Sequence, residues 1–333
     1  MSQVIDVHNH IIPLALIDAI RRQPDKLGSH IERSADGVEF DVQDNGRAIR
    51  VGRSRHTDRE MRLLDMAEAR IDIAAESLLP PLFRYWAPVE VGVRLSRIVN
   101  DAIAEDAVAH PGRLLPMAMV PLQGVREAIA ELERCVSEYK MRAVIIGTNV
   151  QGKNLDEPEF FPFFERCRDL GMLIFVHPED VAAADRLRRY YLSNFIGNPL
   201  ETTIAIASLI FGGVLERLPD LKICFAHGGG YAVFGHHRWA HGQTERKEAQ
   251  TTPKPFTDYF RLLHFDTLVH DRLTMEYLIR SVGADRALLG TDYPADMGNW
   301  RQVPVIESLE FLSPEQKDAV LGGNAARLMN LSA

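Results

Sequence analysis

From about residue 60 onward, short apolar runs alternate with longer stretches whose apolar residues recur at helical spacing. The runs are "IAAESLLP", "LLPMAMVPL", "RAVIIGTNV", "MLIFVHPED", "KICFAHGGG", "LLHFDTLVH" and "RALLGTDYP". Bounded by turn residues and too short for helices, they predict buried strands. Between them, "GVREAIAELERCVSEYK" sets Val125, Ile129, Leu132, Val136 and Tyr139 on one face of a helix. Adding "VIDVHNH" near the start makes eight strands, each with a plausible following helix. That repeat predicts an α/β fold, a (β/α)8 TIM barrel, as one domain over residues 1–333. An open doubly wound sheet is the alternative, but no GxGxxG follows the first strand.

The stretch "HIERSADGVEFDVQDNGRAIRVG" breaks the pattern. Asp36-Gly37 and Asn45-Gly46 are hairpin-turn dipeptides, and Val38, Phe40 and Val42 alternate between them. Residues 30–53 therefore predict a small antiparallel β meander inserted after strand one, near the catalytic mouth of the barrel.

Composition narrows the functional classes. The chain is 46% hydrophobic and 25% charged, which excludes extensive disorder. A net charge of −8 with no long basic run argues against nucleic acid as a partner. Cys135, Cys167 and Cys224 are odd in number and widely spaced, which predicts no disulfide framework and a reducing, cytoplasmic setting. No basic segment precedes an apolar core at the start, so no signal peptide is expected. "TTIAIASLIFGGVL" is too short to span a bilayer and reads as a buried helix, so no membrane role is expected.

Position within the strands brings in chemistry. "VIDVHNH" ends in His8 and His10, "LIFVHP" in His177, "ICFAHGGG" in His227 and "LLGTDYP" in Asp292. Alternate residues of a strand share a face, so His8 and His10 point the same way. In a barrel every C-terminal strand end meets one rim, where these five side chains would converge. Imidazoles and a carboxylate suit Zn2+, or another divalent metal, with a position left for water or substrate. Taken singly, each residue reads as blandly: a strand-end His as a satisfied core residue, Asp292 as a helix cap.

"DVHNHIIP", "FVHPED", "FAHGGG" and "LGTDYP" together resemble the amidohydrolase superfamily, in its branch around 2-amino-3-carboxymuconate-6-semialdehyde decarboxylase. "FRYWAP", "ETTIAIASLIFGGVLERLP" and "TLVHD" extend the resemblance over essentially the whole chain. It implies a mononuclear zinc held by His8, His10, His177 and Asp292. His227 would stand beside the ion and accept a proton, and Asp292 is the second candidate for acid–base work. The resemblance also assigns substrate carboxylates to an arginine of the meander, matched to Arg50, and to one after "HGGG", matched to Arg238. Arg238 would reach the neighbouring site of a homodimer. Trp86 and Asn194 fall where substrate contacts are expected.

The implied activity is metal-dependent, non-oxidative decarboxylation of 2-amino-3-carboxymuconate-6-semialdehyde or a closely related unsaturated or aromatic carboxylic acid. Salicylate- or resorcylate-type decarboxylation and zinc-dependent lactone or amide hydrolysis are the alternatives. His-x-His on strand one, in place of Glu-x-His, favours an open-chain acid. The branch tends to carry tryptophan and methionine after the His-Pro pair, and a further tryptophan downstream. This chain has Glu179, Val181 and Asn194 there, and Ile49 beside the matched arginine, which predicts a less aromatic pocket with an added carboxylate.

Overall fold

The computed structural model describes residues 3–331; residues 1–2 and 332–333, the ends of the predicted domain, lie outside the described residues. Strand β1 (Ile5–Ile11) is followed by an insertion of β2 (Ser29–Arg33), β3 (Glu39–Gln43) and β4 (Ala48–Arg50). The remaining strands are β5 (Ile73–Leu78), β6 (Leu114–Met119), β7 (Ala143–Gly147), β8 (Leu173–His177), β9 (Ile223–Phe225), β10 (His264–Asp266) and β11 (Ala287–Leu288). β1 and β5 to β11 form one eight-stranded sheet in chain order, and every pairing in it is parallel. The chain after β11 closes the ring on β1: the amide of Val7 donates to the carbonyl of Leu289 at 3.0 Å, and that of His10 to Tyr293 at 2.7 Å. The fold is a (β/α)8 barrel. Strands covered on both faces are mostly apolar, which is why the sequence shows short apolar runs there, with polar residues confined to sites where they are paired.

The helices of eight residues or more are α1 (Leu14–Arg22), α2 (Arg59–Glu68), α3 (Val89–Ala109), α4 (Val125–Tyr139), α5 (Phe161–Asp169), α6 (Asn198–Phe211), α7 (Ala232–Glu245) and α8 (Arg272–Val282). In α4, Leu132 is fully buried, while Val125, Ile129, Val136 and Tyr139 pack against the core from its margin. The run predicted as a single buried helix from Thr202 stops at Phe211. A Cβ on Gly212 would sit 2.3 Å from Asp156, so the tight approach selects glycine and ends the helix. No helix among the described residues is long and apolar enough to cross a membrane.

The insertion is the expected antiparallel sheet, in the order β2-β3-β4, with Asp36-Gly37 and Asn45-Gly46 at its two turns. It is bolted to the barrel. Asp41 on β3 and Arg84 in the loop after β5 form an ion pair at 2.6 Å with both side chains fully buried. Gln43 donates to the carbonyl of Pro81 at 3.0 Å and accepts from the indole of Trp86 at 3.2 Å.

One barrel residue makes an acid-stability prediction. His264, at the start of β10, is buried between the carbonyl of Ile223, 3.2 Å from Nδ1, and the guanidinium of Arg286, 3.3 Å from Nε2. Burial pushes its pKa down to about 4 from an ordinary 6.5. The unfolded chain thus binds the extra proton between those values, and stability falls as pH drops through that window. The loss reaches roughly 3 kcal/mol from this residue. Urea titrations should give a flatter dependence of stability on pH, from 6.5 down to 4, for His264→Gln than for the wild type. Equal slopes would contradict the assignment.

Candidate metal centre

The C-terminal rim of the barrel gathers His8 and His10 from β1, His177 from the end of β8, and Asp292 from the loop after β11. One ligand atom from each lies within 4.8 Å of all the others, and all four residues are buried. Asp292 Oδ1 is 3.3 Å from His8 Nε2 and 3.2 Å from His10 Nε2. Bonds of about 2.0–2.1 Å to a tetrahedral ion place neighbouring ligands roughly 3.3 Å apart, the spacing of Asp292 from the two β1 histidines.

The outer nitrogens of the three rings explain which inner ones are free. His8 Nδ1 meets Asp266 Oδ2 at 2.5 Å, His10 Nδ1 meets Ser77 Oγ at 3.0 Å, and His177 Nδ1 meets the carbonyl of Pro178 at 2.9 Å. Ser77 donates its hydroxyl proton to the carbonyl of Asn9 at 2.9 Å, so it accepts from His10. With Nδ1 engaged in this way on each ring, Nε2 is the atom turned inward, where its lone pair would be free for a metal ion. The three Nε2 atoms are buried with no hydrogen-bond partner among the described residues. Leaving such atoms unsatisfied is costly, and a divalent cation among them satisfies all three. The residues fit a metal ion.

The charge balance agrees. Burial disfavours a charge on His8, yet Asp292 and Asp266 flank it and outweigh that cost, holding its pKa up at about 10. Burial likewise opposes ionisation of Asp292, but His8, His10 and His227 keep its carboxyl well below the usual range. His10 is pushed down to about 4, and His177 well below its ordinary value, mainly by burial. One imidazolium thus faces an ionised carboxylate at the centre, the place where a dication displaces a proton on binding.

Backbone geometry makes the close packing possible. A Cβ on Gly290 would fall 2.8 Å from the Cβ atoms of both His8 and Asp266, so the segment just after the last strand passes these two residues only as glycine. Asp6, whose pKa burial raises to about 6, accepts from the amides of His8 and Thr291, each at 3.0 Å, and from the Thr291 hydroxyl at 2.7 Å. That carboxylate ties β1 to the loop bearing Asp292. His227 and Asp292 both adopt left-handed backbone conformations, φ 55° and 57°, which are strained in residues other than glycine.

His227 stands beside the four. Its Nε2 is 3.6 Å from Asp292 Oδ2, and its ring centroid is 5.1 Å from that of His8. Asp266 supports this residue too, since its Oδ1 accepts from the Gly228 amide at 2.7 Å. A cavity of about 450 Å³ opens from His227 and is lined by Asn194, Tyr231, Phe234, His270 and Met297, among others. Of the remaining sequence-predicted residues, Asn194 lines this cavity, whereas Arg50, Trp86 and Arg238 do not. Arg50 is exposed on β4, in register with Phe40. The meander arginine that turns to the barrel is Arg47, which pairs with Glu179 and Asp180. Trp86 sits in the seam between meander and barrel. Arg238 is exposed on α7, one turn beyond Phe234.

Asp266, Ser77 and Arg47 went unread in the sequence. Asp266 ends strand "HFD" and satisfies the same strand-end rule that picked out the histidines, so a signal was there. Ser77 and Arg47 carry none, because their roles depend on which segments meet.

The amidohydrolase family model matches residues 5–331. The chain is 36% identical to a 2-amino-3-carboxymuconate-6-semialdehyde decarboxylase of Dictyostelium discoideum, covering 99% of this chain and 92% of that one. It is 30% identical to the Caenorhabditis elegans protein of the same name, over 99% of this chain and 95% of the other. In architecture it resembles a dihydroxybenzoic acid decarboxylase of Polaromonas solved with bound manganese and the inhibitor 2-nitroresorcinol. There the TM-score is 0.78 at 23% identity, over 99% of this chain and 98% of the other. A barrel with this rim, matched end to end, makes the chain a member of the amidohydrolase family, in the branch of the 2-amino-3-carboxymuconate-6-semialdehyde decarboxylases.

Proposed function

We propose that this protein is a metal-dependent, non-oxidative carboxy-lyase that releases CO2 from 2-amino-3-carboxymuconate-6-semialdehyde or a closely related unsaturated or aromatic acid. The observation that carries the reading is the convergence of three inward, unpartnered Nε2 atoms and Asp292 on one point beside His227. The names of the two relatives above supply the substrate class.

A divalent cation, when bound, supplies Lewis acidity: it favours the negative charge that develops as CO2 leaves and acidifies neighbouring water. His8, His10, His177 and Asp292 hold it. Asp266 and Ser77 keep two of those rings in the productive tautomer and orientation. His227 moves the proton, with its Nε2 turned to the Asp292 carboxylate and to the cavity, and Asp292 is the second acid–base group. Zinc is the proposed ion, in keeping with the nitrogen-rich ligand set.

Substrate binding falls to Asn194 in the cavity wall and to Arg238 of a second copy. Exposed Phe195, Tyr231, Phe234 and Tyr277 ring the cavity mouth next to Arg238, an apolar face of the kind that subunit interfaces cover. A guanidinium offers a planar fork to a carboxylate, which suits Arg238 to the task. Arg50 and Trp86 would act through the meander, shaping the wall of the site.

Metal analysis of the purified protein, followed by CO2 assays on carboxymuconate semialdehydes, hydroxybenzoates and lactones, tests the proposal. About one zinc per chain and one CO2 per substrate consumed are expected. A ring-opened product that keeps every carbon would point to hydrolysis and overturn it.

A further inference from the structure

Among the described residues, the cavity that opens from His227 is lined by no lysine, arginine, aspartate or glutamate. Such a wall does little to offset the desolvation of a charged group, and it suits an uncharged one. Its hydroxyl groups are already engaged. The Tyr231 hydroxyl donates to the carbonyl of Phe195 at 3.4 Å, that of Tyr277 to Val233 at 3.4 Å, and that of Thr274 to the Asp271 carboxylate at 3.2 Å. The side chains of Asn194, Asn198 and His270 face no such partner: they line the same cavity and make no hydrogen bond among the described residues.

The backbone holds the last two in place. Asn198 opens α6, and a Cβ on Gly230 would collide with the carbonyl of Pro199, so the turn bearing His227 lies directly on that helix start. His270 adopts a left-handed backbone conformation, φ 60°, which is strained in a residue other than glycine. Its loop is anchored where the Leu268 amide donates to Asp266 Oδ1 at 3.2 Å, the oxygen that also accepts from Gly228. One carboxylate thus fixes both the His270 loop and the His227 turn.

We infer that Asn198 and His270 form, with Asn194, a neutral clamp for the uncharged carbonyl end of the substrate. The inference rests on the proposed carboxy-lyase reading and deepens it. The carboxylates stay with the metal centre and Arg238, while a conjugated aldehyde enters the cavity and its oxygen accepts from the Asn198 amide and the His270 ring. Both groups offer an N–H without bringing a fixed charge. An acid that ends in a methyl group leaves those donors unpaired, and a site built to hydrogen-bond its ligand discriminates on that basis.

Sorbate and muconate semialdehyde are the same diene acid, ending in a methyl or in an aldehyde. Calorimetric binding to the metal-loaded protein should show the semialdehyde at least about fivefold tighter, the worth of one net hydrogen bond. Asn198→Leu combined with His270→Leu should bring the two affinities together and leave that of sorbate unchanged. His270→Gln keeps a donor and should keep the preference; its loss there would overturn the role given to this side chain. The inference also fails if the wild type binds the two acids equally, if the double variant keeps the gap, or if neither acid binds. Binding is read without turnover. A protein that prefers the semialdehyde yet releases no CO2 from any acid would sink the carboxy-lyase reading alone, and CO2 release without that preference would sink only this inference.

Discussion

Replacing His177 with alanine is expected to cut metal affinity by at least about a hundredfold while leaving the barrel folded. The ring contributes one of three inward nitrogens, and its loss leaves two imidazoles and a carboxylate around a larger, wetter space. Among the described residues the ring's only hydrogen bond is to the neighbouring carbonyl of Pro178, so no distant element is released. Metal content after dialysis against a weak chelator, measured beside far-ultraviolet circular dichroism, reads both halves of the expectation. Unchanged metal in a folded variant would remove His177 from the ligand set.

The second large effect is catalytic. His227→Ala should keep its metal and lose about two to four orders of magnitude in kcat, the range removed with a general acid–base group. The metal is retained because His227 stands outside the four converging residues. Its turn also survives, since the Gly228 amide remains anchored on Asp266. KM should move little, because the lost proton transfer matters in the transition state and not in ground-state binding. Near-normal turnover at full metal occupancy would assign the proton to another group, with Asp292 first in line.

The barrel was legible because a parallel sheet buried on both sides writes itself as apolar runs, and eight such runs are hard to arrange otherwise. The site was legible by position, since strand ends converge on a rim whatever lies between them. Reading stopped where tertiary contact decides. Which arginine of the meander faces the barrel depends on how the insertion docks, and docking is set by Asp41, Gln43, Arg84 and Trp86. These pair segments more than forty residues apart, and no local period reports them. Asp266 differs, since it ends its strand and so satisfies the strand-end rule.

The buried Asp41–Arg84 pair also governs how a reactant gets in. Swinging the meander outward would separate this pair and also break the Gln43 contacts to Pro81 and Trp86 that hold the insertion on the barrel. The insertion is therefore a fixed jamb and not a swinging door. Access to the cavity is left to its own mouth, past Tyr231 and Phe234.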